Sequence, residues 1–275
     1  QGLTQQRGLE ELNARFIAYL DVKPRTVETY GKALRTFFSY MAENGITRPT
    51  RETVIAYRDS IRARLKPSTV QTYIITLRLF FAWTAQEGLY PNVAEHIKGA
   101  KLDRQHKKDA LTSNQAKAVL AGIDTTTLAG KRDYAILALM ASCGLRTIEV
   151  ARANIEDIRI AGGSAALYIQ GKGRDEKTEY AKLAPPVEAA IRDYLKARGK
   201  ADGKEALFTS TSNNNKGEGM TTRAISGIVK QAMREAGLDS ERLTAHSLRH
   251  TAATLNLLNG GSIQETQQLL RHSNI

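Results

Sequence analysis

Cysteine, acidic residues and long apolar runs are all scarce in this chain, and each shortage excludes a class of protein. The 275 residues contain one cysteine, Cys143, so neither a disulfide framework nor a cysteine-pair metal site can form. No apolar run approaches the roughly 20 residues that cross a bilayer, and no secretory signal peptide is recognisable. We therefore expect a protein of the reducing cytoplasm, with Cys143 as a small buried hydrophobic residue. Because the chain begins at Gln1 rather than at methionine, we also expect a processed product or a fragment.

Acidic residues are outnumbered by basic ones, 28 against 40, which gives a net charge of +12. This balance favours a polyanionic partner, with nucleic acid ahead of an anionic membrane. A basic protein that is merely soluble has the same charge, so composition alone leaves the choice open. Hydrophobic residues make up 41% of the chain, which is enough for a core and excludes a disordered protein. The length favours two domains over one large domain.

An internal repeat with an offset of 43 residues organises the N-terminal part. Segments 23–45 and 66–88 are identical at 12 of 23 positions. Each copy predicts a helix that has proline in its first turn and ends on a glycine at a left-handed C-cap. A helical solenoid needs at least three repeats, so we favour two similar helix hairpins packed on each other. With further helices over about 1–20 and 50–64, the pattern predicts a four-helix domain over 1–95.

The two repeat helices have an aromatic stripe and a basic opposite face. We assign the aromatic residues to the core rather than to base stacking. The basic face is either solvated or directed at DNA, and threonines near the helix starts either reach phosphates or cap the helices. A basic linker over 96–110 suits two domains that clamp a duplex, although an ordinary solvated linker has the same composition. The side chains that we predict to contact DNA are Thr26, Arg35, Lys66, Thr69, Arg78, Lys101, Lys107, Lys108 and Arg174.

The second domain, over 111–275, combines helices with a short antiparallel β-segment. An apolar helix is predicted over about 128–143. The hydrophobic period then changes to that of two strands, 166–170 and 177–183, joined by a turn. The predicted fold class is therefore mainly α, with a small antiparallel β-hairpin or sheet in the second domain.

The stretch 244–250 packs two histidines and an arginine into seven residues. If it forms a helix, His246, Arg249 and His250 fall at positions i, i+3 and i+4 and share one face. Guanidinium groups match the oxygens of a phosphate, and a helix start adds unpaired N–H groups. The pattern therefore predicts an anion site.

Three further cationic elements accompany this stretch. Arg146 follows a helix-ending glycine, Lys172 stands in a Gly-Lys-Gly turn, and His272 lies near the end of the chain. Each one alone has an ordinary explanation: a helix-start residue, a solvated lysine, a surface histidine. Their occurrence together, in this order, indicates a shared site.

These elements resemble the motifs of the tyrosine recombinases of the phage-integrase family. The resemblance rests on 144–150 (GLRTIEV), 171–173 (GKG), 246–250 (HSLRH) and 269–273 (LLRHS). It covers nearly the whole chain, because the family also has a helical core-binding domain before its catalytic domain. It implies site-specific recombination of double-stranded DNA, through a 3′-phosphotyrosine intermediate, by two domains that form a C-shaped clamp.

The resemblance also gives each cationic side chain a role. Arg146 and Arg249 would hold the non-bridging oxygens of the scissile phosphate and stabilise the charge of the transition state. Lys172, carried by the hairpin, would protonate the departing 5′-oxygen. His246 would serve as an acid or base near the nucleophile, and His272 would hydrogen-bond the phosphate.

Two neighbouring residues would support these groups rather than react. Glu149 would support the first arginine, and His250 would orient its helix. No metal or other cofactor is expected, because the cations supply the charge that a metal would otherwise supply. The sequence also has no carboxylate cluster to bind one.

The family's nucleophile is a tyrosine that follows the last histidine motif, and the chain stops at Ile275 before that position. Tyr168, Tyr180 and Tyr194 precede the histidine–arginine motif, so they stand in the wrong order to replace it. We therefore expect this chain to bind and position DNA without forming the covalent link. We also expect weakened self-association into the recombination tetramer, because the same tail would carry the helix that subunits exchange.

Other functions remain open at this point. A type IB topoisomerase uses a similar residue set, although the repeated helical domain and the motif spacing favour an integrase. The function of a non-catalytic DNA-binding or architectural protein would explain the positive net charge, but it would not explain why the cationic motifs occur together. A membrane-surface role is the least favoured, because the helices bury their aromatic stripes against each other.

Overall fold

The computed structural model describes residues 6–102, 109–170, 175–258 and 262–271. The chain divides into two compact units, Gln1–Gln105 and His106–Ile275, which are treated separately below. The described parts are mainly helical, with one small antiparallel sheet in the second unit. The predicted fold class is thereby confirmed.

The first unit contains four described helices, matching the four that the sequence pattern predicts. The two longest are the repeat helices, and each has 20 residues. The helices are α1 Gln6–Tyr19, α2 Pro24–Glu43, α3 Arg51–Arg62 and α4 Pro67–Gln86.

The repeat helices begin on proline and end near a left-handed glycine, as predicted. Pro24 and Pro67 occupy the first turn, where the missing N–H would have had no intrahelical partner. Gly45 and Gly88 follow the helix ends with φ values of 63° and 67°, a conformation that glycine adopts without a Cβ clash. The two copies therefore have the same local structure at both ends.

The alternative that threonines cap these helices is wrong. The N-cap positions are Lys23 and Lys66, whose side chains have no acceptor with which to cap. Thr26 and Thr69 lie inside the first turn, where their own N–H groups donate to the two lysine carbonyls at 2.8 and 2.9 Å. The prolines start each helix earlier than the threonines, which removes the threonines from the capping position.

Aromatic side chains fill the core of the first unit, as predicted from their stripe. Phe16, Phe37, Phe80 and Phe81 are completely buried. Phe16 meets Phe80 edge to face at 5.4 Å between ring centroids, an arrangement that the ring quadrupoles favour. The repeat residues Phe37, Phe80 and Phe81 are therefore packing residues and are not available to stack on bases.

The segment that follows α4 packs against the helices of the first unit. Ala94 and Ile97 are buried in its core. Three arginines of α3 donate to carbonyls of this segment, and they bind the oxygens of Glu95, Lys98 and Gly99 at 2.5, 3.1 and 2.8 Å. These arginines are Arg51, Arg58 and Arg62.

The second unit contains seven described helices and a three-stranded sheet. The apolar helix of 16 residues is central to its core, and Ile136, Leu137 and Leu139 are completely buried there. Among the helices that the structure describes, none combines the length and the apolar character needed to cross a membrane. The helices are α5 Ser113–Ala121, α6 Leu128–Cys143, α7 Thr147–Ala151, α8 Pro185–Arg198, α9 Thr222–Glu235, α10 Ala245–Leu258 and α11 Ile263–Leu270.

The sheet has one more strand than the two that the sequence pattern identified. Its order is β1-β2-β3, all antiparallel, with strands β1 Ile158–Ala161, β2 Ser164–Ile169 and β3 Glu179–Lys182. Gly162 and Gly163 join the first two strands with φ values of 59° and 78°. A Gly-Gly pair between two short runs is a recognised hairpin signal, so the first strand could have been found from it.

Candidate phosphate-binding site

The end of α6 and the start of α7 form the floor of the site. Gly144 stands between them with φ 59°, and its N–H donates to the carbonyl of Met140 at 3.0 Å. A Cβ at this position would lie 2.9 Å from Leu270 Cδ2 and 3.5 Å from Ala252 Cβ. Glycine is therefore required both by the left-handed turn and by the close approach of α10 and α11.

Arg146 is fixed by a carboxylate one turn further along the chain. Its backbone N–H donates to Glu149 Oε2 at 2.7 Å, and its Nη1 donates to Glu149 Oε1 at 2.8 Å. Glu149 has no solvent exposure, while the Arg146 side chain keeps about a quarter of its surface open. The buried carboxylate thus holds a partly exposed guanidinium in one orientation.

Arg249 lies on α10 and is only 3% exposed. Its Nη1 donates to the carbonyl of Gly144, and its Nη2 donates to the carbonyl of Leu270. Burial and, to a smaller extent, the neighbouring cations Arg146 and Arg271 lower the pKa of Arg249 to about 10, against the opposing effect of Glu149. The guanidinium therefore remains charged at neutral pH, beside Arg146.

Arg271, to which the sequence reasoning gave no role, supplies the third guanidinium of the cluster, and its side chain is only 7% exposed. Its Nη2 donates to Glu149 Oε2 at 3.0 Å, and its Nη1 donates to the carbonyl of Leu269 at 2.7 Å. The sequence signal was present, since the residue lies in the last cationic motif. Its contact with Glu149, however, joins residues 122 positions apart and depends on tertiary structure.

The two histidines of α10 lie close together, while the arginine between them points inward. The His246 and His250 rings meet edge to face with centroids 5.9 Å apart. His246 is exposed and His250 is half-buried. The structure thus places an imidazole at the surface, on the same helix and three residues before the buried Arg249.

The first turn of α10 is anchored by short polar bonds. Thr244 N–H donates to Ser247 Oγ at 2.9 Å, and the Ser247 hydroxyl donates to the carbonyl of Arg242 at 3.2 Å. Deeper in the helix, the buried Thr251 hydroxyl accepts from Leu111 N–H at 2.9 Å. These bonds fix the start of the helix that carries His246.

A second polar cluster, also missed by the sequence reasoning, lies at the base of the β2–β3 hairpin. The Lys177 ammonium contacts the carboxylate of the buried Asp157 and bonds Asn154 Oδ1 at 3.2 Å. Asp157 also accepts from Asn154 N–H at 2.7 Å. This cluster ties the chain entering β3 to the turn that precedes β1.

Several predicted site residues lie outside the described residues. They include two of the predicted catalytic groups, the hairpin lysine and the last histidine. The residues are Lys107, Lys108, Lys172, Arg174 and His272.

The remaining predicted DNA contacts can be placed. The basic members are exposed, while Thr26 and Thr69 are half-buried in the first turns of α2 and α4. Across the described ranges, no group of three or more His, Cys, Asp or Glu side chains could hold a metal ion. The exposed basic members are Arg35, Lys66, Arg78 and Lys101.

Comparison with known proteins identifies the family. The phage integrase family pattern matches residues 109–275, and the N-terminal SAM-like domain pattern of phage integrases matches residues 14–88. The chain belongs to the phage integrase family.

Two of the chain's sequence relatives are named as tyrosine recombinases. One is tyrosine recombinase XerC of Caldanaerobacter subterraneus subsp. tengcongensis, 35% identical over 187 residues, which are 67% of this chain and 49% of the relative. Another is tyrosine recombinase XerD of Listeria innocua serovar 6a, 30% identical over 166 residues, which are 60% of this chain and 54% of the relative. The integrase chain thus spans about half the length of the curated relatives it matches.

Solved structures share the integrase fold at low sequence identity. XerH site-specific recombinase bound to difH substrate in a pre-cleavage complex has a TM-score of 0.77 and 19% identity, covering 100% of this chain and 94% of the other. A lambda integrase dimer bound to a COC′ core site has a TM-score of 0.75 and 16% identity, covering 97% and 95%. These similarities show the fold.

Proposed function

We propose that this integrase chain is the DNA-holding part of a tyrosine recombinase that performs site-specific recombination on double-stranded DNA in the cytoplasm. The observation that carries the proposal is the pair of guanidiniums, Arg146 and Arg249, beside the Gly144 turn. Both are fixed by buried acceptors, and Arg249 remains charged at neutral pH. A rigid pair of guanidiniums matches the non-bridging oxygens of one phosphate.

The catalytic roles of the other cations follow from the family resemblance. Lys172, which follows β2 in the sequence, protonates the leaving 5′-oxygen. His246, exposed at the start of α10, exchanges a proton with the nucleophile or leaving group, while His250 orients the helix. His272, next to Arg271 in the chain, hydrogen-bonds the phosphate. The attacking group is a tyrosine, by family resemblance, and strand exchange takes place in a tetramer.

The first unit serves as the core-binding domain in this proposal. We assign 1–95 to that domain, 96–110 to a basic linker and 111–275 to the catalytic domain. The exposure of the basic side chains on the repeat helices and after them supports a role in holding DNA phosphates. Their contribution should fall as salt rises, because phosphate contacts release counterions.

The test uses the whole gene product that contains this chain. Duplexes that it retains from a random-sequence library are cloned and placed in a nicked substrate, and the protein–DNA adduct that survives detergent is measured. We expect an adduct in the unaltered protein. Arg146→Ala and Arg249→Ala should each reduce it at least ~100-fold, because each removes a preorganised donor to the transition state.

Arg192→Ala is the matched control, since Arg192 is an exposed arginine paired with Glu188 on α8. It should form the adduct at the unaltered rate. If strand cleavage survives in the Arg146 or Arg249 variant while DNA binding falls, the phosphate-clamp assignment is wrong.

The same protein and selected DNA also distinguish between the competing functions. Relaxation of supercoiled plasmids that lack the selected sequence would favour a type IB topoisomerase. Sequence-independent binding with no adduct would favour an architectural DNA-binding protein. A selected sequence together with an adduct supports the recombinase.

A further inference from the structure

The backbone at Arg271 is unusual for an arginine. The residue follows the end of α11 with φ 51°, in the left-handed region that disfavours side chains other than glycine. Its side chain is nevertheless long, charged and only 7% exposed. A conformation and a burial that are both unfavourable for arginine require strong local partners.

Those partners come from two elements that build the phosphate site. Besides Glu149 in α7 and its own turn, the Arg271 guanidinium reaches the carbonyls of Cys143 and Gly144, both at 3.4 Å, at the end of α6. Its Nε is buried and finds no acceptor in the part of the chain that the structure describes. Arg271 therefore joins the end of α11 to the turn that carries Arg146.

The position of Glu149 decides what this link does. Its carboxylate lies between two guanidiniums, with Arg146 on Oε1 and Arg271 on Oε2. Two guanidiniums, those of Arg146 and Arg271, bind this one carboxylate, and a third, that of Arg249, binds the adjacent Gly144 carbonyl. The cluster therefore carries an excess of two positive charges. Without Arg271, the negative charge of Glu149 would fall on Arg146 alone, and one positive charge would be lost near the phosphate position.

The carbonyl of Gly144 gives a second route for the same influence. It accepts from Arg249 and also lies within reach of Arg271. Since both terminal nitrogens of Arg271 are already engaged and the side chain is buried, the residue is poorly placed to bind DNA directly. Its effect must pass through Glu149 and Gly144.

We propose that Arg271 is a positioning residue, which holds Glu149 and the Gly144 carbonyl so that Arg146 and Arg249 present their charge to the scissile phosphate. This inference rests on the proposed function for its final step, but its effect on anion binding can be measured separately.

The test compares Arg271→Gly, which relieves the left-handed backbone and removes the guanidinium, with Arg271→Lys, which keeps the charge without the planar fork. Inorganic phosphate is titrated into the 275-residue chain, and the arginine Nε–Hε signals of Arg146 and Arg249 are followed by NMR. We expect phosphate binding to weaken at least about threefold in the glycine variant, less in the lysine variant, and not at all in Arg192→Ala. Thermal unfolding of each variant shows that it is folded.

Adduct formation by the whole gene product at saturating DNA supplies the catalytic readout. We expect about a tenfold slower rate in Arg271→Gly, with partial recovery when Glu149→Gln is added, because the second change removes the charge that Arg271 balances. A merely structural role predicts no such recovery in the rate of folded protein.

Two results would overturn the inference. One is a folded Arg271→Gly, or a folded Arg271→Lys if the glycine variant does not fold, that binds phosphate like the unaltered chain. The other is an additive loss of rate on combining the glycine and Glu149 changes. A third outcome separates the two proposals. If the Arg271 variants bind phosphate more weakly as expected but the unaltered protein forms no adduct, the recombinase function is rejected and the role of Arg271 at the anion site remains supported.

Discussion

Each of the two units of this integrase contains a cluster of arginines whose guanidiniums donate to backbone carbonyls, but the two clusters differ in burial and in role. On α3, Arg58 and Arg62 donate to backbone carbonyls of the segment after α4 while remaining partly solvated. Around Gly144, Arg249 and Arg271 also donate to carbonyls, but they are almost fully buried, and Arg271 in addition binds the buried carboxylate of Glu149. The first arrangement holds chain against chain. The second concentrates charge where water cannot screen it, which is the arrangement expected of a functional site.

The largest expected effect comes from removing the carboxylate that distinguishes the two clusters. Glu149→Ala leaves buried guanidiniums without their counter-charge, so we expect the free energy of unfolding to fall by about 3–5 kcal/mol. Urea unfolding of the 275-residue chain measures this. Glu188→Ala, in an exposed ion pair with Arg192, should cost less than about 1 kcal/mol. Equal losses of unfolding free energy in the two variants would show that burial does not strengthen the ion pairs of Glu149.

The next effect concerns the turn on which the buried cluster is built. Gly144→Ala should cost about 2 kcal/mol or more, because a left-handed backbone and a close approach of Leu270 both oppose a Cβ. Gly162→Ala is the matched control, since its φ is also 59° but a Cβ there would meet nothing within 4 Å. The two are compared by urea unfolding. If Gly162→Ala costs as much, the tight packing around Gly144 contributes nothing.

A smaller effect is expected on α3. Arg58→Ala removes one side chain-to-carbonyl hydrogen bond, and we expect a loss of about 1 kcal/mol in the unfolding free energy. Arg25→Ala, which breaks only an exposed pair with Glu28, should change stability by less than about 0.5 kcal/mol. A loss at Arg58 as large as that at Glu149 would erase the contrast between the two arginine clusters.

The smallest effect is a chemical one, at Cys143 beneath the buried cluster. Burial raises the pKa of this thiol to about 11, although Arg271 lowers it somewhat. Iodoacetamide should therefore label the native chain very slowly at pH 8 and the urea-unfolded chain readily. Rapid native labelling would show that the end of α6 opens to solvent.

The same pKa fixes the direction of a pH effect on stability. The unfolded thiol loses its proton near 9.0, whereas the folded one keeps it to about 11. The unfolded chain therefore binds fewer protons than the folded one between these values, and the contribution of Cys143 to stability falls as pH rises through them. Cys143→Ala should reduce this alkaline loss in urea unfolding.

Local sequence signals predicted most of the helices. The repeat prolines and glycines gave the ends of α2 and α4, and the apolar run gave α6 with its terminal glycine. The first strand, Ile158–Ala161, was missed because four residues carry too little periodicity. The threonine caps were wrong because proline sets the helix start before Thr26 and Thr69 are reached.

The sequence by itself determined the family, the repeat, and the motifs that contain Arg146, Glu149 and Arg249, because all of these are encoded in short runs of neighbouring residues. Only the tertiary structure decided that Arg271 shares Glu149 with Arg146 and that Arg249 is buried against the Gly144 carbonyl. Those contacts join residues more than 100 positions apart, and their strength depends on how completely packing removes water. Neither distance along the chain nor residue type encodes that degree of burial.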